Sequence, residues 1–279
     1  TTRISLGLNC SYLFGNLDRT STVVYNNSND YNSRIQYRSS LSGWGFDVGL
    51  QIFKRFKTAS NNKLFFNLGV NYSLSSDITT DNDFFAYTFK YNFSVQEFPK
   101  DTLAMENENS NMVLPEKLEF GLSIGKIYKN KRRWDIGAQY SSIDWTKFQD
   151  NSKYSSQSDF PMGAYSRISL GYRLSPNLDW SNTNKSLLSK STFSIGIHQT
   201  QSKIIVDGNS LIQNGINFGV SIPLLSSRSL SRVNFGVEFG KLGNLTINKI
   251  EENYIKFSIG FSLGPDTRYD RWFRKRKYD

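Results

Sequence analysis

Apolar side chains recur at every second position along most of this chain, with glycine, serine, asparagine or a charge between them. The segment Ile255-Lys256-Phe257-Ser258-Ile259-Gly260-Phe261-Ser262-Leu263 shows the period most cleanly, and Phe85 to Val95 is the longest run of the kind. A period of two means extended strand with one apolar face. The apolar phase is thick with Phe, Tyr, Ile and Leu. The opposite phase is small and polar and holds Gly69, Gly121, Gly137, Gly171, Gly196, Gly219, Gly236 and Gly260. Water-soluble sandwiches bury their large residues and keep glycine out of strand interiors. A wall with large residues facing lipid and a polar interior fits instead, which is the pattern of a transmembrane barrel.

Alternation predicts twelve strands near 3–15, 32–41, 44–57, 63–75, 84–96, 116–128, 132–145, 163–175, 191–203, 211–224, 231–241 and 253–264. The fold class is therefore all-β: a transmembrane, antiparallel, up-and-down β-barrel occupying 1–264. A basic, aromatic tail follows at 265–279, with Arg271, Trp272, Phe273, Arg274, Lys275, Arg276 and Lys277. Ser42-Gly43 reads as a two-residue hairpin turn, on the view that Leu41 and Trp44 share the apolar phase. Barrels keep short turns in the periplasm and longer loops outside. With the last strand descending, the outer loops become 16–31, 58–62, 97–115, 146–162, 204–210 and 242–252. The inner turns become 42–43, 76–83, 129–131, 176–190 and 225–230, and the tail is periplasmic.

Composition removes several alternatives. No stretch approaches the apolar length of a membrane helix, and the mean hydropathy of −0.48 suits a barrel with one wet face. The formal charge of +10 comes without a basic helical face or an RNA-binding aromatic motif, so nucleic acid is not the expected partner. One cysteine, Cys10, excludes a disulfide scaffold within the chain and a cysteine-rich zinc site. The only histidine, His198, lies between lipid-phase residues and so points inward; no metal site, cofactor or catalytic residue is expected, and the chain reads as a non-enzyme. Glu119, Asp135, His198, Arg167, Arg173 and Glu238 also fall on the inward phase. They read as a salt-bridged lumen wall or a polar constriction. Phe65 and Leu13 are the large inward residues that could line a pocket. Asp101-Thr102-Leu103 has the form of a bacterial O-glycosylation tripeptide in a solvated loop.

One succession of motifs goes further. Leu114-Pro115 with Leu118 and Gly121 is followed by Trp134-Asp135-Ile136-Gly137-Ala138-Gln139-Tyr140, and then by Asp144-Trp145-Thr146-Lys147-Phe148. This series resembles the FadL-type outer-membrane long-chain fatty-acid transporters over about the last 165 residues. The resemblance implies a 14-stranded, hatch-plugged barrel that carries hydrophobic compounds, in the outer membrane of a Gram-negative bacterium. It also implies two further strands and a hatch-like segment before Thr1, or a partner that supplies the plug. Two functions stand open: passive uptake of hydrophobic small molecules, or a non-transporting structural or assembly subunit of a larger outer-membrane complex. Membrane lipid is an expected partner in both. The first adds a hydrophobic ligand or detergent, and the second adds other outer-membrane proteins or lipoproteins.

Overall fold

A computed structural model of the chain describes residues 2–26, 30–58, 62–91, 97–153, 162–178, 186–224 and 231–263. The basic tail lies outside them. The described residues form one antiparallel sheet of thirteen strands with three single-turn helical pieces. No helix among them is long and apolar enough to cross a membrane. The strands are β1 (Thr2–Val23), β2 (Asn32–Lys57), β3 (Lys63–Ser73), β4 (Ser76–Tyr91), β5 (Glu97–Leu114), β6 (Lys117–Ile127), β7 (Arg133–Asp144), β8 (Gln149–Asp150), β9 (Ala164–Ser175), β10 (Thr192–Val206), β11 (Asn209–Pro223), β12 (Arg232–Asn244) and β13 (Ile250–Ser262).

Ten passes make the wall. One row of directly paired residues crosses all of them: Ile4, Ile52, Leu68, Leu122, Ala138, Leu170, Ile197, Ile216, Phe239 and Ile255. Every member is apolar because directly opposed residues share a face of the sheet. Phe257, Ile259 and Phe261 lie on that face and are 77%, 67% and 71% exposed, too much apolar surface for water but natural against lipid. Aromatic residues mark both edges of the band. Tyr12 tilts on Trp44 at one edge, and the Trp134 indole N–H donates to the Tyr128 hydroxyl at the other. The band climbs along the row. Ile4 begins the outward apolar series of β1, which runs on to Phe14, whereas Ile255 stands at the far end of the series of β13, which runs to Leu263.

The structure corrects the strand reading at four places. Residues 32–41 and 44–57 are one strand, and Ser42-Gly43 is no turn: Leu41 faces inward opposite Gly15 and Thr80 while Trp44 faces outward. Residues 76–83 are strand, because β4 continues the direction of β3 and pairs with the upper half of β2. Residues 97–114, assigned to a loop, form β5 against β4, which takes Asp101-Thr102-Leu103 into a strand. The 58–62 connection lies at the same end as 129–131, not the opposite one; the Lys129 amide donates to the Asn62 side chain at 3.1 Å. The 84–91 segment is therefore no membrane pass. Its outward ladder Phe85, Tyr87, Phe89 and Tyr91 stacks above the band, where the Arg34 guanidinium covers Phe89 at 4.8 Å. Seven passes from β6 to β13 follow the Leu114-Pro115 motif, as the sequence indicated.

At the end where the Thr58 amide donates to the Asn62 carbonyl and the Tyr128 amide to the Arg132 carbonyl, the strands stop close to the band. At the other end β1, β2, β4 and β5 run on past it by about ten residues, roughly 33 Å of strand.

Candidate functional site

Two constellations concentrate side-chain chemistry: a junction where strands leave the band, and the inward face.

The junction forms where Pro115, which has no amide hydrogen to give a ladder, separates β5 from β6. The Ser75 hydroxyl donates instead to the Leu114 carbonyl at 2.9 Å. On the neighbouring pass, Asp144 ends β7 by accepting from the amide and hydroxyl of Thr146, at 3.2 and 2.6 Å, and so caps the turn Trp145–Lys147. That turn carries the Lys147 ammonium to the Glu116 carboxylate at 2.5 Å, and Glu116 also accepts from the Tyr72 hydroxyl at 3.4 Å. Trp145 contacts Phe148 and carries the Lys203 ammonium 3.9 Å above its ring. Leu114, Pro115, Asp144, Trp145, Lys147 and Phe148 are thus one structural unit. Trp134 belongs to the opposite edge of the band, Leu118 faces outward, and Gly121 faces inward opposite Gly69. Glu116, Tyr72 and Lys203 escaped the sequence reading. Glu116 sits at an unspecified position of its motif, so only its spacing from Leu114-Pro115 pointed to it.

The Lys147 hydrogen bond, ahead of its charge, holds the Glu116 carboxyl below its ordinary value of 4.5, and the Lys147 ammonium is raised in return. A lowered acid contributes stability above its unfolded value and loses it as pH falls through the folded one. The junction is therefore expected to stay closed above about pH 4.5 and to loosen below it. Titration of the Glu116 carboxyl carbon by NMR measures this, and Lys147→Ala should move the midpoint back up.

Glu119, Asp135, Arg167, Arg173, His198 and Glu238 all share the inward face, but in separate groups. Asp135, 9% exposed, is the centre of one: Arg133 Nε donates to it at 3.0 Å and Arg173 Nη2 at 2.9 Å. The Arg133 guanidinium also lies 4.8 Å over the Phe65 ring, which stacks on Phe53 at 6.4 Å. Phe65 lies flat over Gly125; a β-carbon there would collide with its ring. His198 lies over Gly215 in the same way, 3.7 Å from the Glu238 carboxylate, which also accepts from the Tyr254 hydroxyl at 2.8 Å. Neither ring nitrogen of His198 has a hydrogen-bond partner among the described residues, and the Ser169 hydroxyl beside it accepts from Arg167. Glu119 pairs with Lys117 at 2.8 Å. No group of three or more acidic, His or Cys side chains is placed to hold a metal among the described residues. Leu13 faces inward at 36% exposure opposite Gly43.

Cavities lie on both faces. An inward one of about 530 Å³ is bordered by Asn67, Asp135, Arg167, Arg173, His198 and Asn217, and a smaller inward one of about 420 Å³ by Gln51, Asn71, Glu119 and Gln139. An apolar one of about 630 Å³ lies on the outer face among Tyr172, Phe193, Phe218, Phe235, Phe257 and Ile259.

A banded outer wall, a charged inner wall and an up-and-down sheet define a transmembrane β-barrel of the outer-membrane type. Within that class the chain belongs to the BamG family, which matches residues 1–279. No curated protein matches it. Among solved structures it is similar to a CymD monoaromatic hydrocarbon channel at 11% identity and a TM-score of 0.38, over 94% of this chain and 86% of that one.

Proposed function

We propose that this barrel is a non-transporting structural subunit of an outer-membrane assembly complex. The inward wall is the observation that carries the reading. A carrier of hydrophobic molecules needs an apolar site with a few polar groups, whereas the larger inward cavity is bordered by Asp135, Arg167, Arg173, His198 and two asparagines, and the smaller by Gln51, Asn71, Glu119 and Gln139. The long hairpins β1–β2 and β4–β5 add docking area beyond the membrane. The BamG name agrees, since it suggests association with other outer-membrane proteins of the Bam complex.

The FadL-like carrier reading draws on the motif unit around Pro115 and Trp145 and on the inward pair Phe53 and Phe65. One experiment separates the two. An affinity-tagged chain, extracted in mild detergent, is expected to hold partner barrels at fixed stoichiometry, and its depletion to lower the amount of folded barrels in the outer membrane. The same protein in liposomes should admit toluene no faster than empty liposomes. A chain that isolates alone and speeds toluene entry is a carrier.

A further inference from the structure

Asp101-Thr102-Leu103 in β5 sets an acid, a hydroxyl and a branched apolar residue in succession, the form of the bacterial O-glycosylation tripeptide. Asp is followed directly by Thr or Ser at one other place, Asp266-Thr267, and there the third residue is Arg268. The strand presents the tripeptide to solvent, since every residue from Glu97 to Leu103 is exposed. Two irregularities in the ladder bracket it. Lys100 and Leu103 are each an extra residue on β5 with no direct partner on β4, so Asp101 and Thr102 stand between two bulges, opposite Thr88 and Tyr87. Bulges bend a strand and re-aim its side chains. Pro99, just before the first of them, has no amide hydrogen to give a ladder.

We infer that Thr102 is an O-glycosylation site, whichever of the two functional readings above holds. In the transfer, Thr102 Oγ1 attacks the anomeric carbon of a glycan carried on a polyprenyl diphosphate. The bond from that carbon to the diphosphate oxygen breaks, the lipid diphosphate leaves, and the hydroxyl proton passes to a base of the transferring enzyme. Asp101 and Leu103 are the flanking residues that the enzyme reads. The position suits a large hydrophilic group. Thr102 pairs with Tyr87 and Tyr87 with Arg34, ten residues along β2 from Trp44 at the band edge, which is roughly 33 Å of strand. A sugar chain there extends into water rather than lipid. Thr102 and Met105 share the face of the aromatic ladder, being opposite Tyr87 and Phe85. Leu103 and Met105 are 62% and 79% exposed, and adjoining apolar surface outside the bilayer invites association with other chains. A glycan on Thr102 covers it, which is the solubilising effect of surface glycosylation.

The test takes the full chain from its native membrane and digests it with trypsin. The peptide 101–117 is expected to carry the mass of an added sugar chain, located to Thr102 by electron-transfer fragmentation. Thr102→Ser should keep the addition and Thr102→Val should abolish it. Asp101→Asn, which leaves the acceptor hydroxyl in place, should lower its occupancy at least tenfold. Heat-modifiable migration on gels verifies that each variant is folded. An unmodified Thr102 in the native protein overturns the inference, as does an addition located to Ser110 instead. Occupancy indifferent to Asp101→Asn overturns it as well, because the tripeptide is then not what the enzyme reads.

Discussion

Replacing Ile259 with arginine is expected to destabilise the barrel by about 2–4 kcal/mol, the depth-dependent penalty for a charge on the lipid face near the bilayer midplane. Ile259 lies opposite Phe235 on the outer face and is 67% exposed, so an arginine there has hydrocarbon around it. Its neighbour Ser258 takes the other face, opposite inward Gly236. An arginine at 258 meets a polar wall and is expected to cost far less. Urea unfolding in lipid vesicles, comparing Ile259→Arg and Ser258→Arg with the parent, reads the difference. Equal penalties would place both residues in the same environment and reverse the assignment of faces.

The second large effect is expected at Gly125, on the inner face. A β-carbon there would run into the Phe65 ring and the Asp135 side chain, so Gly125→Val must push Phe65 off the sheet. Overpacking of this kind costs typically about 1–3 kcal/mol, and here it also disturbs the Arg133 contact to Phe65. Removing the ring should relieve the clash: Gly125→Val with Phe65→Ala should be less destabilised than the two single variants combined. A double-mutant cycle measured by the same unfolding transition checks this.

The two faces were legible in the sequence because period two is local: Phe257 and Ser258 differ in environment through adjacency alone. All eight glycines of the small polar phase, from Gly69 to Gly260, do lie inward. Strand pairing was less legible. Leu41 looked like a lipid-phase residue beside Trp44, yet a continuous strand puts two residues three apart on opposite faces. Nothing local tells an inward leucine from the end of a strand. The error then passed to the orientation of the 58–62 hairpin and to the reading of 97–114 as a loop, since each depended on the count of passes. The charged side chains were found by phase, but their grouping was not. Asp135 meets Arg173 because β7 pairs with β9, skipping β8, and that neighbour relation exists only after the chain has folded.

The slanting apolar band bears on how a wall of these ten passes could close. Moving straight across the ladders from Ile4 to Ile255 crosses the whole height of the band, from its first residue on β1 to the far end of the series on β13. β1 and β13 are the edges of the ten-pass wall and are not paired with each other in this structure; a wall closed between them would bring β13 to β1 about ten residues higher than Ile4, near Phe14. That stagger is the shear number, and shear with strand count fixes tilt and radius. Closed in that way, a ten-stranded wall with a shear near ten would have strands inclined at roughly 35–45° and a bore only slightly wider than that of an eight-stranded barrel, which its own side chains fill. Phe65, His198 and Tyr254, lying over the inward glycines Gly125, Gly215 and Gly240, are the side chains that so narrow a cylinder would require to lie close to its wall.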